Sequence, residues 1–149
     1  MNNRFKFRVW DKANNKFINP FLFEHNNYYK DTGMMLLDFN GKIRIAEYSS
    51  GCGDNSASSV YSEVDNQDDY EIQQYTGLTD CKGNPIYEGD IIYHKNYKVY
   101  CQCVWDVERL TYRWVGKNVS LPIDTRDDNM TLKEKIVGNI FEHKHLIEK

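Results

Sequence analysis

The chain has 149 residues, enough for one domain or two small subdomains. It is 40% hydrophobic and 14% aromatic, a content that excludes a disordered chain, because such residues bury enough surface to offset the entropy of ordering. Its net charge of −3 at pH 7 argues against bulk binding of nucleic acid through phosphates, which needs a cationic surface.

The first predicted element covers residues 4–9. Phe5, Phe7 and Val9 alternate with Arg4, Lys6 and Arg8, the period of a half-buried strand. Turn formers fill residues 11–16, and Phe17 and Ile18 resume the apolar pattern, so a hairpin is predicted. In MMLLDFNGKIRIAEY, Asn40 and Gly41 sit between two apolar runs and tolerate the positive φ of a type I′ turn. That turn sets Phe39 opposite Lys42 and Leu36 opposite Ile45, and gathers Met34, Leu36, Ile43 and Ile45 on one face. The next stretch, SSGCGDNSASSVYSEVDNQDD, is rich in Ser, Asp, Asn and Gly and reads as a loop, arm or linker. Val60, Tyr61 and Val64 offer a short strand or contact arm within it. A loop this long is unusual inside one compact domain. The chain is therefore divided into an N-terminal β subdomain (1–48), a Ser/Asp-rich loop or arm (49–70) and a C-terminal β subdomain (71–149).

The second half reads as short strands between turns. Residues 72–78 form a strand, Asp80 to Asn84 turn around Gly83, and Pro85 stands at a strand start, where its missing N–H costs least. Glu88, Gly89 and Asp90 make a second turn before Ile91, Ile92 and Tyr93. YKVYCQCVWD and TYRWV give two more strands, residues 118–123 another, and IVGNIF a last one. Thr131 and Glu134 have capping-box spacing for a short helix, and HKHLIEK reads as a final helical turn.

Chemical motifs are sparse. There is no P-loop, G-x-G-x-x-G, G-x-S-x-G or H-E-x-x-H pattern, and His25, His94, His143 and His145 are dispersed. Cys52, Cys81, Cys101 and Cys103 lack the C-x₂₋₄-C pair of a zinc site. Cys101 and Cys103, two apart, read instead as small buried residues on one strand face. Glu88 and Asp90 would suit an acid–base or metal pair. The turn reading is simpler: Gly89 permits positive φ and Asp90 accepts hydrogen bonds from turn amides. Gly77, Gly83, Glu88, Gly89, Asp90, Asn40 and Gly41 are assigned as structural turn residues, and no catalytic residue, metal ligand or cofactor is assigned. The binding candidates are Arg4, Lys6, Arg8 and Trp10, a basic row beside aromatic rings. Tyrosines and tryptophans of the second half could stack on a ligand, although two small cores need such large side chains. No apolar run of the length of a membrane-spanning helix is present, and MNNRFKFRVW lacks the apolar centre of a signal peptide. A cytoplasmic protein with reduced cysteines is expected.

Three blocks resemble the YopX family of bacterial temperate phages and prophages. They are FKFRVWDKANNKFI, QYTGLTDCKGNPIYEGDII and IVGNIFEHKHLIE, in the family's order and covering under half of the chain. Cys81 stands where that family more usually has a charged or polar turn residue, and Pro85 where it has a charged one. The Ser-rich segment and residues 118–130 carry no part of the resemblance. It implies a mostly β fold of two small subdomains, the second an SH3-like barrel, and a phage-derived origin, with no particular activity. The sequence thus reads as a non-enzymatic binding or assembly protein, a homo-oligomer or a partner of a host or phage protein, with no membrane association. The alternative is a nucleic-acid-binding accessory protein using the face of Arg4, Lys6 and Arg8. A second alternative is an enzyme with an unrecognised site.

Overall fold

A computed structural model describes residues 6–18, 23–24, 32–37, 40, 42–49, 58–63, 66–123 and 132–148. Among them the structure is strands and turns with two short 3-10 segments and no α-helix, the mostly β class expected. No helix among the described residues is long and apolar enough to cross a membrane. Two compact units are present: Val9–Glu71, and Met1–Arg8 with Ile72–Lys149.

In the first unit, strand β1 (Phe7–Asp11, entering at Val9) pairs antiparallel with β2 (Lys16–Ile18), Trp10 opposite Phe17 and Asp11 opposite Lys16. The Asp11 carboxylate makes the turn: it accepts from the Asn14 amide at 2.9 Å and from the Asn14 side chain at 2.8 Å. Trp10 is buried, its ring edge-on to Phe17 with centroids 4.9 Å apart.

Strands β3 (Phe23–Glu24), β4 (Thr32–Leu37), β5 (Ile43–Ser49) and β6 (Ser58–Glu63) form an antiparallel sheet in that order. The β4–β5 hairpin is where expected, but its register differs. Leu36 lies opposite Arg44, and Ile45 opposite Met35. Five residues, not the two of a tight turn, separate the last partners Leu37 and Ile43, which shifts the pairing by one position. Phe39, predicted opposite Lys42, lies outside the described residues, as does Gly41; Asn40 is in a turn. The segment 49–70, read as a loop or arm with a short strand offered at Val60 and Tyr61, carries a six-residue strand, β6, along β5 and a 3-10 turn at Gln67–Asp69. Backbone pairing needs no apolar side chains, so the strand extends beyond those two residues. Gln67 also closes on β5: its side chain accepts from the Ile43 amide and donates to the Ile43 carbonyl, both at 2.8 Å. Cys52 and Val64 lie outside the described residues.

In the second unit, β7 (Tyr70–Thr79, entering at Ile72) pairs with β8 (Pro85–Tyr87) across an irregularity at Gly77, which has φ +88°. Strands β9 (Asp90–His94), β10 (Val99–Asp106), β11 (Thr111–Gly116) and β12 (Val119–Pro122) form a meander, and β13 (Ile136–Asn139) returns beside β9. Placing the last strand next to the first is the order of an SH3-like sheet, as the family resemblance implies. Ile86, Ile92, Cys101, Cys103, Trp114 and Leu132 fill the core, so Cys101 and Cys103 share an inward face as read. A 3-10 turn at Lys144–Leu146 supplies the expected final helical turn. The helix expected near Thr131 and Glu134 is absent among the described residues, where Lys133 and Glu134 form a bend, and Thr131 lies outside them. The backbone there has other partners. The Leu132 amide donates to the Thr79 carbonyl at 2.8 Å, and the Glu134 carbonyl accepts from the Cys81 amide at 3.2 Å.

Candidate functional site

The turns of the second unit meet in a buried polar cluster. Asp90, at the start of β9, is 1% exposed. Its Oδ2 accepts from the Tyr87 amide at 2.8 Å, closing the Glu88–Gly89 turn. Its Oδ1 accepts from the Arg8 guanidinium and from Asn139 Nδ2 at 3.2 Å. Gln73 Oε1 accepts from Arg8 Nε at 2.8 Å and from Asn139 Nδ2 at 3.0 Å. Asn139 Oδ1 then accepts from the Phe141 amide at 3.1 Å. The Arg8 guanidinium also lies over the Tyr87 ring, 4.6 Å from its centroid, a cation–π contact. A buried carboxylate is tolerable because each oxygen has a donor and a cation faces it.

Asp80 organises the other signature turn. It accepts from the amides of Lys82 at 2.8 Å and Asn84 at 2.9 Å, from Asn84 Nδ2 at 3.0 Å, and from the Ile136 amide on β13 at 3.3 Å. Burial by itself would raise its carboxyl; the hydrogen bonds from Asn84, Lys82 and Ile136 outweigh it and hold the group below the ordinary carboxylate range. Gly83 and Gly89 both adopt positive φ, as the turn reading requires.

The sequence-derived binding candidates differ in their surroundings. Arg4 lies outside the described residues. Lys6 is exposed, its ammonium 5.6 Å from the Tyr75 ring centroid. Arg8 is committed to Asp90 and Gln73, and Trp10 is 4% exposed.

A different surface gathers basic and aromatic groups. A cleft of about 680 Å³ is lined by Tyr93, His94, Lys95, Trp114, Lys133 and Lys135, among others. Tyr93 and His94 end β9, Lys95 begins the turn to β10, and Trp114 comes from β11. The bonds from Leu132 to Thr79 and from Cys81 to Glu134 bring in the 133–135 segment. All three lysines are exposed, and Glu134 is the one acidic group of the lining among the described residues. His94 Nδ1 is buried with no hydrogen-bond partner, and no other side-chain polar atom among the described residues is in that state. Leaving such an atom unmet costs about 1–3 kcal/mol, so a ligand that reaches it has something to gain. Among the described residues, no group of three His, Cys, Asp or Glu side chains is placed to hold a metal ion.

The family model described as YopX protein matches residues 6–148. The chain belongs to the YopX family. No curated protein matches it. Its fold is similar to that of protein EF1440 from Enterococcus faecalis, a crystal structure, with a TM-score of 0.55 and 22% identity over 95% of this chain and 96% of that one. In this YopX family chain, each of the three signature blocks supplies one member of the buried cluster: Arg8, Asp90 and Asn139. Sequence reading missed Gln73 and Asn139 as its partners, and it passed over His94, Lys95, Lys133 and Lys135. No motif spacing joins these residues; only strand order brings them together.

Proposed function

We propose that this YopX family chain is a non-enzymatic binding protein whose ligand enters the cleft between the β9–β10 turn and the 133–135 segment. One observation carries the reading. The cleft joins three lysines, an exposed tyrosine and a buried imidazole nitrogen that has no partner. Its volume falls in the range of about 300–1,000 Å³ usual for ligand sites. Three described residues that could serve catalysis are otherwise engaged or withdrawn. The Asp90 carboxylate is taken by Arg8, Asn139 and the Tyr87 amide. Burial pushes the Cys103 thiol far above the ordinary thiol range, with the Asp90 and Glu88 charges adding to it, and burial raises Cys101 as well. A thiolate nucleophile needs the opposite shift.

Amide chemical-shift mapping with oligothymidylate, polyglutamate and inorganic tripolyphosphate tests this. Shifts at residues 93–96 and 133–135 with any of the three support the reading. No shift there with all three overturns it.

The same protein works, in this reading, in the cytoplasm of a bacterium carrying a temperate phage or prophage. Family membership supports the phage origin, and the free thiols of Cys81, Cys101 and Cys103 suit a reducing compartment. A second role, self-assembly, is favoured by β6. This strand ends its sheet, paired with β5 alone among the described residues, and an open strand edge is a template for another chain. Sedimentation velocity showing only monomer at high concentration removes that role.

A further inference from the structure

We infer that the cleft takes a nucleotide unit, a flat base carrying a phosphate, either free or within a single strand; this rests on the cleft being the binding site. The lining has the two complements such a unit needs. Among the described residues of the lining, Lys95, Lys133 and Lys135 supply three ammonium groups against the carboxylate of Glu134, a positive balance although the whole chain is at −3. Lysine meets phosphate as a compact point charge with rotatable donors. Tyr93 of the lining is 37% exposed, and Tyr97, on the adjoining turn and not among the lining residues, is 53% exposed. The Tyr93 ring is braced against Tyr100 at 5.1 Å between centroids, and the Tyr97 ring against His94 at 5.0 Å. Every base offers a π-face to such rings, whereas an acidic peptide offers carboxylates with no face to stack. A net negative surface elsewhere disfavours tracking along a duplex, which is why the site is local.

The test uses the full chain and a short fluorescein-labelled oligothymidylate in an anisotropy titration. Wild type is expected to bind at low salt, with affinity falling as salt rises at a log–log slope near −2, from three neutralised phosphates at roughly −0.7 each on a single strand. The double change Lys133→Ala, Lys135→Ala is expected to reduce that slope to roughly −0.7. Tyr93→Leu is expected to weaken binding about fivefold or more with the slope unchanged. All of these positions are exposed, and an unaltered circular dichroism spectrum confirms that each variant folds. Thymidine monophosphate displacing the oligomer at similar concentration assigns a free nucleotide; binding of the oligomer alone assigns a single strand. Either supports the inference. Affinity insensitive to all three substitutions overturns it. So do cleft amides that shift with polyglutamate or tripolyphosphate but not with either nucleotide probe, a result that leaves the cleft itself standing as a binding site.

Discussion

The Arg8 guanidinium donates to the Asp90 carboxylate from 82 positions away in the sequence. Asp90 is 1% exposed and the Arg8 side chain 23%, so the pair is largely withdrawn from water. Gln73 accepts from Arg8 and from Asn139, and Asn139 donates to Asp90 as well. The signature blocks of this YopX family chain thus meet in a structural cluster, and the lysines that line the cleft are not part of it.

Gly89 sits against that cluster. Its φ is +80°, and a Cβ there would stand 2.0 Å from Gln73 Nε2. Gly89→Ala is expected to cost about 2–4 kcal/mol, combining backbone strain with displacement of Gln73 from Arg8. Gly83 has a similar φ of +83° with open space around its Cβ position. Gly83→Ala is expected to cost only the strain, about 1–2 kcal/mol. Urea denaturation of both separates the two contributions; equal losses would show that Gln73 is not under pressure.

Much of the local structure was legible because its causes lie within a few residues. Asp11 with Asn14, Asp80 with Asn84, and Gly89 before Asp90 are each short-range devices. The β4–β5 register was not, because Asn40 and Gly41 announce a reversal without fixing how many residues it takes. Strand β6 was only half legible: Val60 and Tyr61 offered a short strand, but Ser58, Ser59 and Ser62 carry no alternation to mark its extent, while its backbone still pairs. The buried cluster was half legible: the resemblance selected blocks containing Arg8, Asp90 and Asn139, but nothing local marks Gln73 as their partner. The cleft was invisible, since Lys95 and Lys133 become neighbours only once β13 lies beside β9.

Asp80 makes stability depend on acid. Its carboxyl lies below the ordinary value of 3.8 in the folded chain, so the unfolded chain binds a proton more readily. The stabilisation is therefore fully present above 3.8, and is lost as the pH falls through that value towards the lower folded pKa. Asp11 is shifted the same way, burial being outweighed by hydrogen bonds from Asn14 and Ala13 and by the Lys16 charge. Denaturation midpoints measured down this pH range are expected to fall for wild type, and less steeply for Asp80→Asn. An unchanged slope in that variant would show that Asp80 is not a titrating support.

Thiol chemistry distinguishes the cysteines of the second unit. Cys81 is exposed, while Cys101 and Cys103 are fully buried with raised thiols. A thiol reagent is expected to modify Cys81 in the native protein and to reach Cys101 and Cys103 only after denaturant is added. Rapid native labelling of Cys103, located by mass spectrometry, would mean that the β9–β11 core opens.

Gln67 is the corresponding anchor in the first unit. Gln67→Ala leaves both backbone groups of buried Ile43 without their side-chain partner. A loss of about 1–3 kcal/mol is expected, with faster hydrogen exchange at the Ile43 amide. An unchanged exchange rate at Ile43 would contradict the anchoring role.

The most direct measurement is a double-mutant cycle on Arg8 and Asp90, read by equilibrium denaturation. Arg8→Ala strands a buried carboxylate and is expected to cost about 3–5 kcal/mol. Once Asp90→Ala is present, Arg8→Ala should cost less, leaving a coupling of about 1–3 kcal/mol. Losses that simply add would mean that the signature blocks do not act together, and would contradict the structural reading of the cluster.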